Sequence, residues 1–167
     1  MKQNRRKHGP AFTLIEALLA AVILAMAVGA ITMPFTAGAQ NEQVDARRTL
    51  AVSLAQEMME EILTKPFDDP AGVMTPGPEP GETSRNTFDN IDDYHGYTEP
   101  PGCITNLDGQ FINTPASVGL SRYVTATYVY VSGQDTGQPP SFIRVSVVVK
   151  HRGLPLVTLS RLVYSMR

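Results

Sequence analysis

A long apolar run near the start of the chain constrains its fold more than any other feature. The run extends from Phe12 to Met33 and contains one charged side chain, Glu16. A helix of about 22 residues measures about 33 Å, and the hydrocarbon core of a bilayer is about 30 Å thick. Residues 12–33 are therefore predicted to form a transmembrane helix. Glu16 then needs an explanation, because a lone carboxylate opposes insertion into lipid.

Basic residues flank this run on one side only. Four of them precede it, and the next basic residue along the chain is Arg47. The four are Lys2, Arg5, Arg6 and Lys7. By the positive-inside rule, the N-terminus is expected in the cytoplasm and the rest of the chain on the outer side of the membrane.

One kind of leader peptide is cut after the apolar run. An ordinary secretory signal ends in a small-x-small site, and Ala37-Gly38-Ala39 before Gln40 fits this pattern. That leader would be about 39 residues long instead of the usual 15–30, and Glu16 would lie in its apolar part without a purpose. This alternative makes the mature protein a monomeric periplasmic binding protein without a membrane helix.

A second kind of leader is cut before the apolar run. The residues AFTLIEALLAAVILA resemble the N-terminal signature of type IV pilins and type II secretion pseudopilins. The resemblance implies that a prepilin peptidase removes the basic leader, residues 1–11, by cutting between Ala11 and Phe12. It also implies that Phe12 is then N-methylated. The family usually has Gly before the cut, where this chain has Ala11.

The same resemblance gives Glu16 a role. It implies that the Glu16 carboxylate pairs with the N-terminal ammonium of a neighbouring subunit in a filament and so sets the register of assembly. Each of these charges is costly alone in a low-dielectric setting, and pairing offsets that cost. Small Ala and Gly residues along the same helix permit other subunits to approach closely.

The segment after the apolar run is predicted to continue as an amphipathic periplasmic helix half over 34–65. Pro34 is expected to kink the helix near the outer membrane face, and Pro66 is expected to end it. Apolar side chains recur at helical spacing and form one stripe that needs a cover. The stripe consists of Leu50, Ala51, Leu54, Ala55, Met58, Met59, Ile62 and Leu63.

Residues 66–119 are rich in Pro, Gly, Asp and Asn and are predicted to be a long surface connection. Tyr94 and Tyr97 are interpreted as exposed aromatic residues that contact other subunits. The aspartates of this segment supply oxygen ligands, and some major pseudopilins bind calcium in this outer region. Asp92 and Asp93 are therefore candidate calcium ligands, although the spacing of an EF-hand is absent.

The last part of the chain, 120–167, contains runs rich in β-branched and aromatic residues and predicts a three-strand antiparallel meander. Alternation is clearest in SFIRVSVVVK, whose apolar residues share one face. Arg152-Gly153 is predicted to be a tight hairpin turn. The amphipathic helix supplies the cover that the sheet needs, so the expected fold class is α+β and pilin-like, a long N-terminal helix packed on a small C-terminal antiparallel sheet.

Composition and motifs argue against other classes of protein. The formal charge is −2 and no basic face follows the first residues, so a nucleic-acid partner is not expected. Cys103 is the only cysteine, and the three histidines are scattered. A nucleophile elbow and a phosphate-binding glycine loop are absent from the sequence. The protein is therefore expected to be a substrate of the peptidase and methylase, not an enzyme, and to have no cofactor, with calcium as a weak candidate ion only.

The expected function is that of a structural subunit, a minor pseudopilin held as a single-pass protein in the bacterial inner membrane and then assembled into a filament. Its expected partners are other subunits, the prepilin peptidase, the inner-membrane assembly platform and lipid. Type II protein secretion is favoured because the chain lacks the cysteine pair that closes a C-terminal loop in many major pilins. In addition, LAQEMMEEILTKPFDD resembles the helix end of minor pseudopilin-like proteins. A subunit of a type IV pilus or of a DNA-uptake machine would have nearly the same features.

Overall fold

A computed structural model describes residues 12–164, except positions 71, 74, 136 and 139. The chain divides into two compact units, Met1–Gln43 and Val44–Arg167. The predicted leader, including Ala11 on one side of the predicted cut, lies outside the described residues.

One long helix, α1, extends from Leu14 to Leu63. Its sequence is rich in Ala, Leu, Met and Glu, which have high helix propensity. Pro34 lies inside α1, so the helix continues past this residue, and the kink at Pro34 remains a prediction. The C-terminus tightens into a turn in which the backbone N–H of Lys65 donates to the carbonyl of Ile62. The next residue is Pro66, which has no N–H to donate and so favours the end of the helix.

The second unit contains one antiparallel sheet of four strands. The strands are β1 (Thr98–Glu99), β2 (Leu120–Val129), β3 (Phe142–His151) and β4 (Leu154–Tyr164). They lie in the order β1-β2-β3-β4. The α+β class, with a long N-terminal helix and a small antiparallel sheet, is confirmed. The sequence predicted three strands, and β1 was missed because two residues are too few to show a periodic pattern.

The turn between β3 and β4 is formed by Arg152 and Gly153, as the sequence predicts. Both residues have positive φ, 51° and 84°. Two-residue hairpin turns of type I′ require this backbone, which matches the right-handed twist of the strands. Gly153 adopts this backbone without a steric penalty. Among the described residues, Arg152 is the one residue other than glycine that has a positive φ.

The hydrophobic core lies between one face of α1 and one face of the sheet. The predicted stripe on α1 is confirmed for Ala51, Leu54, Ala55, Met58, Met59 and Ile62, which are all buried. On β3, the alternating residues Ile143, Val145, Val147 and Val149 are fully buried, also as predicted. Burying a side chain of this size contributes about 1.5–3 kcal/mol, so this contact is a main source of stability for the second unit.

The segment 66–119 is more than a surface connection. It contributes β1, two short 3-10 turns (Asp92–Tyr94 and Pro115–Ser117) and part of the core. The core residues from this segment are Phe88, Ile91, Tyr94 and Ile104. An irregular backbone can be buried when its polar groups are paired, and here Ile91 donates its N–H to the carbonyl of Pro66 and Gly96 to that of Val124. The Pro-rich and Gly-rich composition of this segment correctly predicts irregular structure. The prediction that the whole segment lies on the surface is wrong, because part of it is buried in the core.

A buried arginine joins the helix, the sheet and this segment. Arg122 on β2 is fully buried, and its Nε donates to Oε2 of its cross-strand neighbour Glu99 at 2.6 Å. Its Nη1 donates to the carbonyl of Leu54 on α1 at 3.0 Å, and its Nη2 to the carbonyl of Thr105 at 2.9 Å. One guanidinium group therefore connects three parts of the fold through charge-assisted hydrogen bonds.

A second arginine ties the segment 66–119 to the end of α1. Arg85 forms an ion pair with Glu61, and the hydroxyl of Tyr94 donates to the same carboxylate at 2.7 Å. Burial alone would raise the pKa of Glu61, but the hydrogen bonds from Arg85 and Tyr94 outweigh it, so this pKa lies below its ordinary value of 4.5. The ionised form of Glu61 is therefore the one that stabilises the fold.

We expect Glu99→Gln to destabilise the second unit by about 3–5 kcal/mol, because it leaves the buried Arg122 guanidinium without a counter-charge. The full chain in a mild non-ionic detergent can be unfolded with urea and followed by near-UV circular dichroism of its tyrosines. The matched control is Glu60→Gln on the exposed face of α1, which should change the free energy of unfolding by less than about 0.5 kcal/mol. A loss no larger than that of the control would contradict the assigned role of Glu99.

A second prediction concerns acid. The pKa of Glu61 is lower in the folded state than in the unfolded state, so its contribution is present at neutral pH and is lost as the pH falls from about 4.5 through the folded value. Glu61→Gln should be less stable than the wild type by about 1–3 kcal/mol at pH 7, and the difference between the two free energies of unfolding should shrink as the pH falls below about 4.5. If the difference between the two free energies of unfolding stays constant as the pH falls, Glu61 is not held in its ionised form.

Candidate functional sites at the start of the helix and in an acidic cluster

The first part of α1 presents an apolar surface. Every described side chain from Phe12 to Ala46 is exposed, and Phe12 and Leu14 are 85% and 82% accessible. Within the described residues, α1 is the one helix long and apolar enough to cross a membrane, with a mean hydropathy of 2.5 in its most apolar window. Soluble monomers rarely expose contiguous apolar patches of more than a few hundred Å². This part of α1 is therefore a candidate membrane span.

Glu16 closes the beginning of α1. Its Oε2 accepts hydrogen bonds from the backbone N–H and the hydroxyl of Thr13, both at 3.1 Å, and its own N–H donates to the Thr13 hydroxyl at 3.4 Å. This reciprocal arrangement is a capping box, which satisfies two backbone donors that have no partner inside the helix. A carboxylate in the first turn is also favoured by the helix dipole.

The sequence analysis did not identify this local role of Glu16. The signal was present, because Thr13-Leu14-Ile15-Glu16 has the T-x-x-E spacing of a capping box. The carboxylate has a second oxygen, Oε1, which takes part in none of the hydrogen bonds that the described residues form at the start of α1. Glu16 can therefore cap its own helix and still offer an oxygen to a positively charged partner.

The prediction that Tyr94 is an exposed contact residue is wrong. Tyr94 is fully buried, and its ring packs edge-on against Phe88 with 5.0 Å between ring centroids. Tyr97 is half-buried, lies against the same Phe88 ring, and donates its hydroxyl hydrogen to Oε1 of Glu99. In the sequence, Gly, Pro and Asp residues surround these two tyrosines, and this composition predicts that the tyrosines lie on the surface. Their rings instead fill the core that the irregular segment helps to build.

The two candidate calcium ligands lie in different surroundings. Oδ2 of Asp92 accepts a hydrogen bond from the hydroxyl of Tyr128, which lies on β2. Asp93, in contrast, belongs to an acidic cluster with Glu79 and Glu82. One carboxylate oxygen from each of the three lies within 4.8 Å of those of the other two. The sequence analysis did not identify Glu79 or Glu82, because they are separated from Asp93 by a turn without a periodic pattern.

The acidic cluster raises the pKa values of its members. Burial and the neighbouring carboxyl groups of Glu82 and Asp69 raise the pKa of Glu79 to about 8. Burial also raises the pKa of Asp93, although hydrogen bonds from the backbone N–H groups of Asn90 and Asp89 oppose the shift. Among the described residues, no basic side chain forms an ion pair with Glu79, Glu82 or Asp93. The like charges therefore repel one another without a counter-charge from the protein.

Comparisons of the chain with models of protein families, with curated proteins and with solved structures find no match.

Proposed function

We propose that this protein is a structural subunit of a periplasmic filament, a pseudopilus or type IV pilus-like fibre, most consistent with type II protein secretion. It is made as a prepilin, cut between Ala11 and Phe12, methylated on Phe12 and assembled through its N-terminal helix. The observation that carries the proposal is the exposed apolar surface of α1 with the Glu16 carboxylate at its beginning. Such a helix satisfies its own backbone hydrogen bonds in lipid, and its apolar side chains can also pack against identical helices.

The composition of the helix supports packing between subunits. The apolar surface alternates large residues with Ala and with Gly29, and nothing within 4 Å surrounds the position that a Cβ on Gly29 would take. Small residues let two helix backbones approach closely, which is how helices associate where no hydrophobic driving force remains. Before assembly the same surface lies in the inner membrane, with the N-terminus in the cytoplasm and the second unit in the periplasm.

The geometry of Glu16 supports the charge pair between subunits. Removal of the leader leaves an ammonium group on Phe12, and this charge is costly in a low-dielectric surrounding. The capping box occupies Oε2 of Glu16, so Oε1 is available to the ammonium of a neighbouring subunit. A subunit that docks one register away leaves both charges unpaired. The pair thereby selects one axial position for each subunit.

The alternative is a monomeric periplasmic binding protein released by an ordinary signal peptidase after Ala39. The bond between Ala39 and Gln40 lies inside α1. Cleavage there would remove the apolar surface but leave intact the buried stripe on α1, which begins at Ala51. The second unit would keep its core in both cases. The two functions therefore differ most directly in the mature N-terminus.

Mass spectrometry of the N-terminal peptide, taken from the protein in membranes of its own host, tests the processing step. We expect the mature chain to begin at Phe12 with an added methyl group. Deletion of the host's prepilin peptidase should leave residues 1–11 attached. A chain that begins at Gln40 would overturn the filament function and favour the binding protein.

Two variants separate the charge of Glu16 from its capping role. Glu16→Gln keeps a side-chain oxygen that can accept the Thr13 N–H, since Gln also occupies this position of a capping box, but it removes the charge. Thr13→Ala removes the capping hydroxyl, at about 1 kcal/mol, but keeps the charge. We expect Glu16→Gln to lower the fraction of subunits in filaments by about tenfold or more, and Thr13→Ala to lower it much less.

Cross-linking of subunits inside intact cells, with the membrane-held subunit as the reference, measures this fraction. Both variants must reach the membrane in wild-type amounts for the comparison to hold. Equal losses in the two variants would show that Glu16 acts as a helix cap alone.

A further inference from the structure

The acidic cluster links a turn of the segment 66–119 to a buried residue. Glu79 and Glu82 begin and end the turn, and hydrogen bonds in both directions close it. The backbone N–H of Glu82 donates to the carbonyl of Glu79, and the backbone N–H of Glu79 donates to Oε2 of Glu82, both at 3.0 Å. Asp93 lies in the 3-10 turn Asp92–Tyr94 and is fully buried. The carboxylate oxygens of the three residues converge to within 4.8 Å of one another.

Two buried carboxylate oxygens of this cluster have no hydrogen-bond partner among the described residues. One is Oδ1 of Asp93 and the other is Oε1 of Glu79. The second oxygen of Asp93, Oδ2, is held by the backbone N–H groups of Asp89 at 2.8 Å and Asn90 at 3.0 Å, so the position of this carboxylate is fixed. A buried acceptor without a donor is costly, and a donor that reaches the cluster would therefore stabilise it.

A proton can supply this missing donor. An ionised carboxylate only accepts hydrogen bonds, so two ionised carboxylates cannot bond to each other. A protonated carboxyl group has an O–H to donate, and its hydrogen bond to a carboxylate is short and strong. Glu79 lies within hydrogen-bonding reach of Glu82 and Asp69, and Asp93 lies within reach of Glu82. One proton therefore turns a repulsive contact between these groups into an attractive one.

The charges that face Glu79 favour retention of this proton. They are the carboxylates of Glu82 in the same turn, Asp93 in the 3-10 turn and Asp69 near the start of the segment. Together with burial, these groups raise the pKa of Glu79 to about 8. When carboxylates share a site in this way, ionisation of the last one is strongly disfavoured.

Other polar groups near the cluster are engaged elsewhere. Arg85 is the basic residue nearest to the turn along the chain, and it forms its ion pairs with Glu61 and Glu99. From β2, the hydroxyl of Tyr128 donates to Asp92, the neighbour of Asp93 in the chain. These contacts leave the proton as the donor available to the cluster within the described part of the chain.

We propose that the acidic cluster is a proton-dependent clasp. One proton, held on Glu79 and shared with the neighbouring carboxylates, keeps the turn 79–82 against the 3-10 turn Asp92–Tyr94, and loss of the proton releases the turn. A backbone hydrogen bond from Gly77 to the carbonyl of Asp92, at 3.1 Å, joins the same two parts and breaks when the turn leaves. The core between α1 and the sheet does not include the turn, so the release is a local opening.

The clasp stabilises the fold in the opposite pH direction from Glu61. The pKa of Glu79 in the folded chain, about 8, lies above its ordinary value of 4.5, so the folded state binds this proton more tightly than the unfolded state. Its contribution to stability is complete below about pH 4.5, decreases above that value and is lost once the pH exceeds about 8. The contribution of Glu61, in contrast, is lost as the pH falls.

The proton itself can be observed by carbon-13 NMR of the full chain in non-ionic detergent, with the side-chain carboxyl carbons of glutamate labelled. We expect one glutamate signal to titrate near pH 8 and to be absent from Glu79→Gln. The matched control, Glu60→Gln, removes an exposed carboxyl group of α1 and should keep that signal. If every glutamate carboxyl group titrates below about pH 6, the clasp holds no proton and the proposal is wrong.

Amide hydrogen exchange at Gly77, Glu79 and Glu82 measures release of the turn. After correction for base catalysis, protection in the wild type should fall by about tenfold or more between pH 6.5 and pH 8.5, because the open turn binds a proton with the ordinary pKa and the closed turn with the raised one. Glu79→Gln is uncharged and its amide can donate at any pH, so its protection should stay constant. Glu60→Gln should behave as the wild type.

Thermal unfolding gives an independent readout of the clasp. Glu79→Gln should unfold at the same temperature as the wild type at pH 5, and at a higher temperature at pH 8.5. Equal pH dependence of the wild type and Glu79→Gln, in unfolding or in exchange, would overturn the clasp. Neither result bears on the cut at Phe12 or on filament assembly, since these concern the other unit.

Discussion

The second unit depends on one buried cation, the guanidinium group of Arg122. Its hydrogen bonds reach the carboxylate of Glu99 on β1, the carbonyl of Leu54 on α1 and the carbonyl of Thr105 in the segment between the helix and β2. A charge buried without partners would cost several kcal/mol, so these elements are favourable only in an arrangement that supplies all three acceptors. The core can pack apolar side chains in several ways, but the arginine restricts which of them are acceptable.

The helix α1 meets two different surroundings along its length. From Phe12 to Ala46 its described side chains are exposed, and most of the long ones are apolar, whereas from Ala51 onward one face is buried under a sheet. The first surface makes α1 a candidate membrane span, and the second surface is part of the core of the second unit. Glu16 lies at the N-terminal end of the first surface, where capping the helix leaves one carboxylate oxygen for the proposed charge pair with a neighbouring subunit.

The segment 66–119 combines stability with unbalanced charge. Phe88, Ile91, Tyr94 and Ile104 place it in the core, and the ion pair between Arg85 and Glu61 attaches it to the helix. The acidic cluster lies in the same segment, and its crowded carboxyl groups together with burial raise the pKa of Glu79 to about 8, so this group holds a proton at neutral pH.

The sequence alone determined the features that depend on local order. The apolar run, the stripe on α1, the alternation along β3 and the Arg152-Gly153 turn follow from periodicity and backbone preference, which neighbouring residues set. The burial of Tyr94, the strand Thr98–Glu99, the role of Arg122 and the meeting of Asp93 with Glu79 and Glu82 were decided by tertiary structure. Each of these depends on residues far apart in the chain, and their side chains meet only after the backbone has folded, so no local pattern encodes them.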